Sequence, residues 1–151
     1  MGISNWPLEA LKQADAYLRE RDVPLLIYQG KLNRLDREPM DEGILAYCRE
    51  HGIGFIAFSP LAQGLLTNRY LDGIPADSRM AKGKFLKSDR LTPGMMDYLL
   101  RLKAEAEADG CTIAENALRW VLQQQGVTSV LVGASSVEQL RTNLMVISRN
   151  S

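Results

Sequence analysis

The stretch Phe58-Ser-Pro-Leu-Ala-Gln-Gly-Leu-Leu-Thr-Asn-Arg-Tyr70 sets a hydroxyl, a proline and a glycine directly behind an apolar run, Ile53 to Phe58. A strand that stops at Ser59-Pro60 and enters a turn containing Gly64 either brings backbone close to a ligand or simply turns a corner. A second such place is Gly133-Ala-Ser-Ser136, which ends another apolar run and opens a helical pattern. Free N–H groups and a helix dipole there suit a phosphate, and Ser135 or Ser136 equally suits a plain N-cap. Asn5 and Gln29 fall at expected element ends, where an amide can hold a ligand or satisfy turn backbone. Phe58 is either core or a flat face for a planar ring. Arg69 and Arg79 border a long loop. Each alone reads as a solvated charge, although arginine also suits bidentate phosphate contact.

These groups need elements to position them. Trp6-Pro7 opens a helix on Leu8, Leu11 and Leu18, with Pro7 at the first helical position. Val23 to Tyr28 reads as a strand covered on both faces, with Gln29 at its end. Asp41 caps a helix carrying Ile44, Leu45 and Cys48, which stops at Gly52. Ile53 to Phe58 is a second buried strand. A long irregular segment, about Leu71 to Leu91, has the length of a functional loop. Thr92-Pro93 begins a helix that Gly110 stops, and Thr112 with Glu115 forms a capping box for the next. Val127 to Val132 is a third buried strand, and the last helix has the stripe Val137, Leu140 and Leu144. Buried strands alternating with amphipathic helices predict parallel βα units, an α/β fold whose ligands sit at the carboxyl ends of the strands.

The chain has 151 residues and reads as a single domain, 1–151. Lys plus Arg equals Asp plus Glu, 18 against 18, which argues against nucleic acid or an anionic membrane as partner. Cys48 and Cys111 lack metal-like spacing and read as thiols of a reducing compartment, so the expected location is cytoplasmic. His51 reads as a helix C-terminal residue, and no metal site is expected.

Taken in order, GISN, IYQ, FSPLAQGLLTNRY, GIPADSR, ENALRWVL and TSVLVGASSVEQLRTN make the chain resemble the aldo-keto reductase superfamily. The likeness is to the branch of glyceraldehyde-phosphate-type reductases and potassium-channel β subunits. It implies the C-terminal half of a (β/α)8 TIM barrel, strands resembling the fifth to eighth, and an NADPH site. By that likeness Ser4, Asn5 and Gln29 hold the nicotinamide carboxamide, and Phe58 lies against the nicotinamide ring. Ser59, Pro60, Leu61 and Gly64 line the pyrophosphate, and Arg69 and Arg79 belong to the closing loop. Ser135, Gln139 and Asn143 contact the adenosine end.

The family's catalytic Asp, Tyr, Lys and His belong to the first half of its barrel and have no matching segment here, so no catalytic residue is assigned. The resemblance thus implies part of an NADPH-dependent carbonyl oxidoreductase, inactive alone. The alternative is a nucleotide-binding or self-associating scaffold module. Half a barrel exposes strand edges, which predicts a partner: a second copy of the chain or a separate N-terminal half.

Overall fold

The computed structural model describes residues 1–71, 73–75, 81 and 88–148. Four parallel strands, β1 (Gly2–Ser4), β2 (Ile27–Lys31), β3 (Gly54–Phe58) and β4 (Val127–Val130), lie side by side in chain order. Six helices follow or separate them: α1 (Leu8–Arg19), α2 (Glu38–Asp41), α3 (Ile44–Glu50), α4 (Pro93–Ala108), α5 (Ile113–Leu122) and α6 (Val137–Ser148). The α/β fold class expected from the sequence is therefore observed. The chain forms two compact units: Met1–Pro60 with Trp120–Gly133, and Leu61–Arg119 with Ala134–Ser151.

In the first unit the sheet has one covered face. Tyr28, Phe55 and Ala57 are buried in a cluster with Leu11, Leu18, Leu45 and Cys48 of α1 and α3. Successive strand residues point to opposite faces. Gln29 and Lys31 of β2, with Gly54, Ile56 and Phe58 of β3, therefore occupy the other face and are only partly buried. The expectation of strands covered on both faces is corrected here. Polar residues continue β2 through Lys31 because that second face is uncovered within the unit.

Three boundaries also differ from expectation. The strand around Tyr28 begins at Ile27, not Val23, so Gln29 is its middle residue and pairs with Ser4 and Ile56. Gly2–Ser4, for which the apolar pattern predicts no strand, is itself one, because its backbone continues the ladder of β2. Asp41 ends α2 rather than capping the next helix. Gly43, at φ 80°, breaks the two helices apart and serves as the N-cap of α3. A left-handed backbone there is open to glycine at no steric cost.

In the second unit the expected caps form. Thr92 accepts from the Met95 N–H at 3.2 Å. Thr112 Oγ1 accepts from the Glu115 N–H, and Glu115 Oε2 accepts from the Thr112 N–H, at 3.2 and 2.7 Å. The reciprocal pair satisfies two donors that a helix start leaves over. Leu99, Leu102 and Ala106 of α4 are buried, as are Ile113, Ala117 and Leu118 of α5. The apolar stripe of α6 does not behave as expected. Val137, Leu140 and Leu144 are 67%, 45% and 53% exposed, and Val146 is the helix's buried residue. The stripe has the right period but no covering surface among the described residues.

Candidate functional site

The carboxyl ends of β1, β2 and β3 carry the first group of candidates. Ser4 and Gln29 are register partners on neighbouring strands, and Gln29 is in turn opposite Ile56. One layer further along, Lys31 pairs with Phe58. Asn5 leaves β1 with φ 56°, its N–H donates to the Gln29 carbonyl at 3.0 Å, and its Nδ2 donates to Ser4 Oγ at 3.2 Å. The side chains of Ser4, Gln29 and Phe58 thus share one sheet face. Among the described residues the Gln29 amide makes no side-chain hydrogen bond, which leaves its donors and acceptor for a ligand or water.

Ser59, directly after β3, adopts φ 53°. Its carbonyl accepts from Asn33 Nδ2 at 3.0 Å. Pro60 is buried behind it. Left-handed backbone at non-glycine residues costs about 1–3 kcal/mol each and gathers where the surroundings enforce it. Asn5 and Ser59 both show it at strand ends.

The second unit holds the other group. Leu61 leads into a 3₁₀ turn, Ala62–Gly64, with positive φ at Ala62, Gln63 and Gly64. Thr67 Oγ1 donates to the Gly64 carbonyl at 2.7 Å and accepts from the Arg69 N–H at 3.2 Å, so this hydroxyl fixes Gly64 and Arg69 together. Of the two serines before α6, Ser136 is the cap, accepting from the Gln139 N–H at 3.2 Å. Gln139 Oε1 in return accepts from both the N–H and the hydroxyl of Ser135, each at 2.9 Å. Ser135 and Gln139 are therefore brought together, with Asn143 one turn beyond and partly buried. Arg79 lies outside the described residues.

Two residues at the strand ends escaped the sequence reading. Asn33 is wholly buried, and Lys31 Nζ sits 2.9 Å from Asp36 Oδ2. The signal was present in Asn33-Arg-Leu-Asp36, the spacing of an Asx turn.

A different set of groups gathers where α1 meets α3. Asp15 is buried and its Oδ2 accepts from Arg19 Nε and Tyr47 Oη, both at 2.9 Å. Burial, then the hydrogen bond to Asp15, pushes the Tyr47 phenol up to about 12. Burial, then the Asp15 charge, pushes the Cys48 thiol up to about 11. His51 follows α3 and stacks on Tyr47 with ring centroids 3.8 Å apart. These groups tie helices to each other. Among the described residues no cluster of three His, Cys, Asp or Glu could hold a metal ion.

Compared with known proteins, residues 1–150 match the model of the Aldo/keto reductase family. The chain belongs to that family. It is 42% identical over 151 residues to L-glyceraldehyde 3-phosphate reductase of Escherichia coli (strain K12), covering 97% of this chain and 44% of that protein. It is 31% identical over 150 residues to a probable voltage-gated potassium channel subunit beta of Arabidopsis thaliana, covering 97% and 46%. Among solved structures it resembles a thermostable aldo-keto reductase, Tm1743, crystallised with the inhibitor epalrestat. The TM-score is 0.66 at 27% identity, over 97% of this chain and 42% of that one. The chain therefore spans less than half the length of these relatives, and its parallel strands and helices correspond to part of a TIM barrel.

Proposed function

We propose that this aldo/keto reductase chain supplies the NADPH site of a carbonyl reductase. The observation that carries the reading is the shared sheet face at the strand ends. Ser4, Asn5 and Gln29 offer amide and hydroxyl groups suited to a carboxamide. Phe58 offers a ring edge or face one layer away. In this reading Ser59 and Pro60 of the first unit approach the pyrophosphate. The family likeness adds Leu61, Gly64, Arg69, Arg79, Ser135, Gln139 and Asn143 as phosphate and adenosine candidates. The donor set fits the group, because it combines unpaired amide capacity with backbone held in close-approach conformations. Bound NADPH would supply the hydride. The proton would come from outside this chain's assigned residues, and the substrate is a small carbonyl compound.

The same reading gives the exposed sheet a partner. Among the described residues β1 and β4 each have one strand neighbour, and Leu26, Ile27 and Leu131 are exposed. A complementary N-terminal half barrel is the proposed occupant, and a second copy of this chain is the outcome that would replace it. No described helix is long and apolar enough to cross a membrane. The free thiols Cys48 and Cys111 suit a reducing compartment, and on that ground we place the protein in the cytoplasm.

The test is reduction of a simple aldehyde by NADPH, with the chain alone and with a separately made N-terminal half. Turnover only in the mixture supports the reading. NADPH binding without turnover in either case favours a nucleotide-binding scaffold, a role compatible with the likeness to a channel β subunit. Light scattering on the two samples distinguishes the heterologous pair from self-association.

A further inference from the structure

We infer that Asn33 is the positioning residue of this site, holding Ser59 in the conformation the ligand meets; the inference rests on the NADPH reading above. Asn33 is 0% exposed. Its Oδ1 accepts from the Leu35 and Asp36 N–H groups, each at 2.9 Å. Its Nδ2 donates to Asp36 Oδ2 and to the Ser59 carbonyl, each at 3.0 Å. Both donors and both lone pairs of the amide are thereby used. The Asp36 oxygen is held in turn by Lys31 Nζ at 2.9 Å.

Ser59 is where such a clamp is needed. Its φ of 53° is unfavourable for any residue with a Cβ. It also precedes Pro60, and a residue before proline ordinarily stays extended. Pro60 has no N–H to help fix the turn. The bond from Asn33 to the Ser59 carbonyl sets the peptide plane between Ser59 and Pro60. The Ser59 hydroxyl has no partner among the described residues. Asn33 thus holds its own turn with three hydrogen bonds and gives the fourth to Ser59, whose hydroxyl is left for a ligand.

The test is a double-mutant cycle of Asn33→Ala and Ser59→Gly, because glycine adopts positive φ without a clamp. NADPH affinity and the thermal unfolding midpoint are measured for all four proteins. The expected result is that Asn33→Ala weakens NADPH binding about tenfold in the parent, the scale of a lost buried hydrogen bond. In the Ser59→Gly background the same change should weaken binding less than about threefold. Equal losses in both backgrounds, or an unchanged affinity in Asn33→Ala, would overturn the inference. If the parent binds no NADPH, the functional reading fails, while the cycle read in unfolding midpoints still decides whether Asn33 acts through Ser59. If Asn33→Ala does not fold, Asn33→Asp replaces it in the cycle. That variant keeps the acceptor for the Leu35 and Asp36 N–H groups but loses the donors to Ser59 and Asp36, and the cycle against Ser59→Gly separates the Ser59 part from the repulsion of Asp36.

Discussion

The backbone N–H of Asn5 donates to the Gln29 carbonyl at 3.0 Å, which fixes the first residue beyond β1 against the middle of β2. The bond extends the β1–β2 ladder past its last residue pair, Ser4 with Gln29. It sets two amide side chains at one end of one sheet. Because the Gln29 side chain makes no hydrogen bond among the described residues, it contributes little to stability. Gln29→Ala should weaken NADPH binding by about tenfold, the scale of one lost hydrogen bond to a ligand. The unfolding midpoint should move by no more than a degree or so, since a surface change usually stays within about 0.5 kcal/mol. Fluorescence titration and a thermal melt on the same sample check both halves.

Gly30 makes the opposite prediction. A Cβ there would lie 2.7 Å from Phe55 Cζ and 2.9 Å from Tyr28 Cε1. Those two rings stack with centroids 5.6 Å apart in the core of the first unit. Gly30→Ala should destabilise the protein by about 1–3 kcal/mol through overpacking. Gly94→Ala in α4, where a Cβ would meet nothing within 4 Å, is the control and should be neutral or slightly stabilising. Urea unfolding of the two variants separates a packing effect from a general intolerance of alanine.

The Thr112–Glu115 box should behave as a separable cap. Thr112→Ala removes the acceptor for the Glu115 N–H and should cost about 1 kcal/mol. Glu115→Ala should cost a similar amount, and the double variant less than the sum, because each residue serves the other's backbone. Chemical denaturation of the four proteins measures the coupling.

Alkaline pH should loosen the packing of α1 on α3. The Tyr47 phenol is raised from 10.0 to about 12, and the Cys48 thiol from 9.0 to about 11. Both groups are neutral when protonated, and the fold favours that form. Their contribution is therefore complete below the unfolded values and is lost as pH rises through the folded ones. Stability should fall between about pH 9 and pH 12, and Tyr47→Phe should remove the upper part of that fall. At pH 8 an alkylating reagent should modify Cys111 well before buried Cys48. Mass spectrometry of the partly labelled protein reads the order.

Legibility followed the range of the physical signal. Local chemistry was readable: Thr92, Thr112 and Glu115 bond as their spacing requires, and Gly52 and Gly110 follow helix ends at φ 69° and 64°. Parallel βα order was readable from alternating apolar runs. The register was not, because Val23 to Leu26 is as apolar as a strand yet precedes β2, while polar Gln29 and Lys31 lie within it. Apolar content reports burial, and β2 has only one face covered within its unit. The α6 stripe shows the same limit, since Leu140 and Leu144 have helical spacing without a covering surface among the described residues. Ser4 and Asn5 were grouped with Gln29 through resemblance to the family, and the strand pairing brings those three together. Asn33 was missed because its role depends on Ser59, far away in sequence and adjacent only once β2 and β3 pair.

Whether the strand ends bind NADPH is decided by titrating the purified chain with it while following Trp6 and Trp120 fluorescence, with NADH as the control. Trp6 follows Asn5 immediately in the chain, and its carbonyl accepts from Tyr28 Oη at 2.7 Å, so it is anchored beside the proposed site. A formed cofactor site gives a saturable change with NADPH at lower concentration than with NADH, weakened by Gln29→Ala. A folded chain that responds to neither nucleotide, or responds equally with and without Gln29, would contradict it.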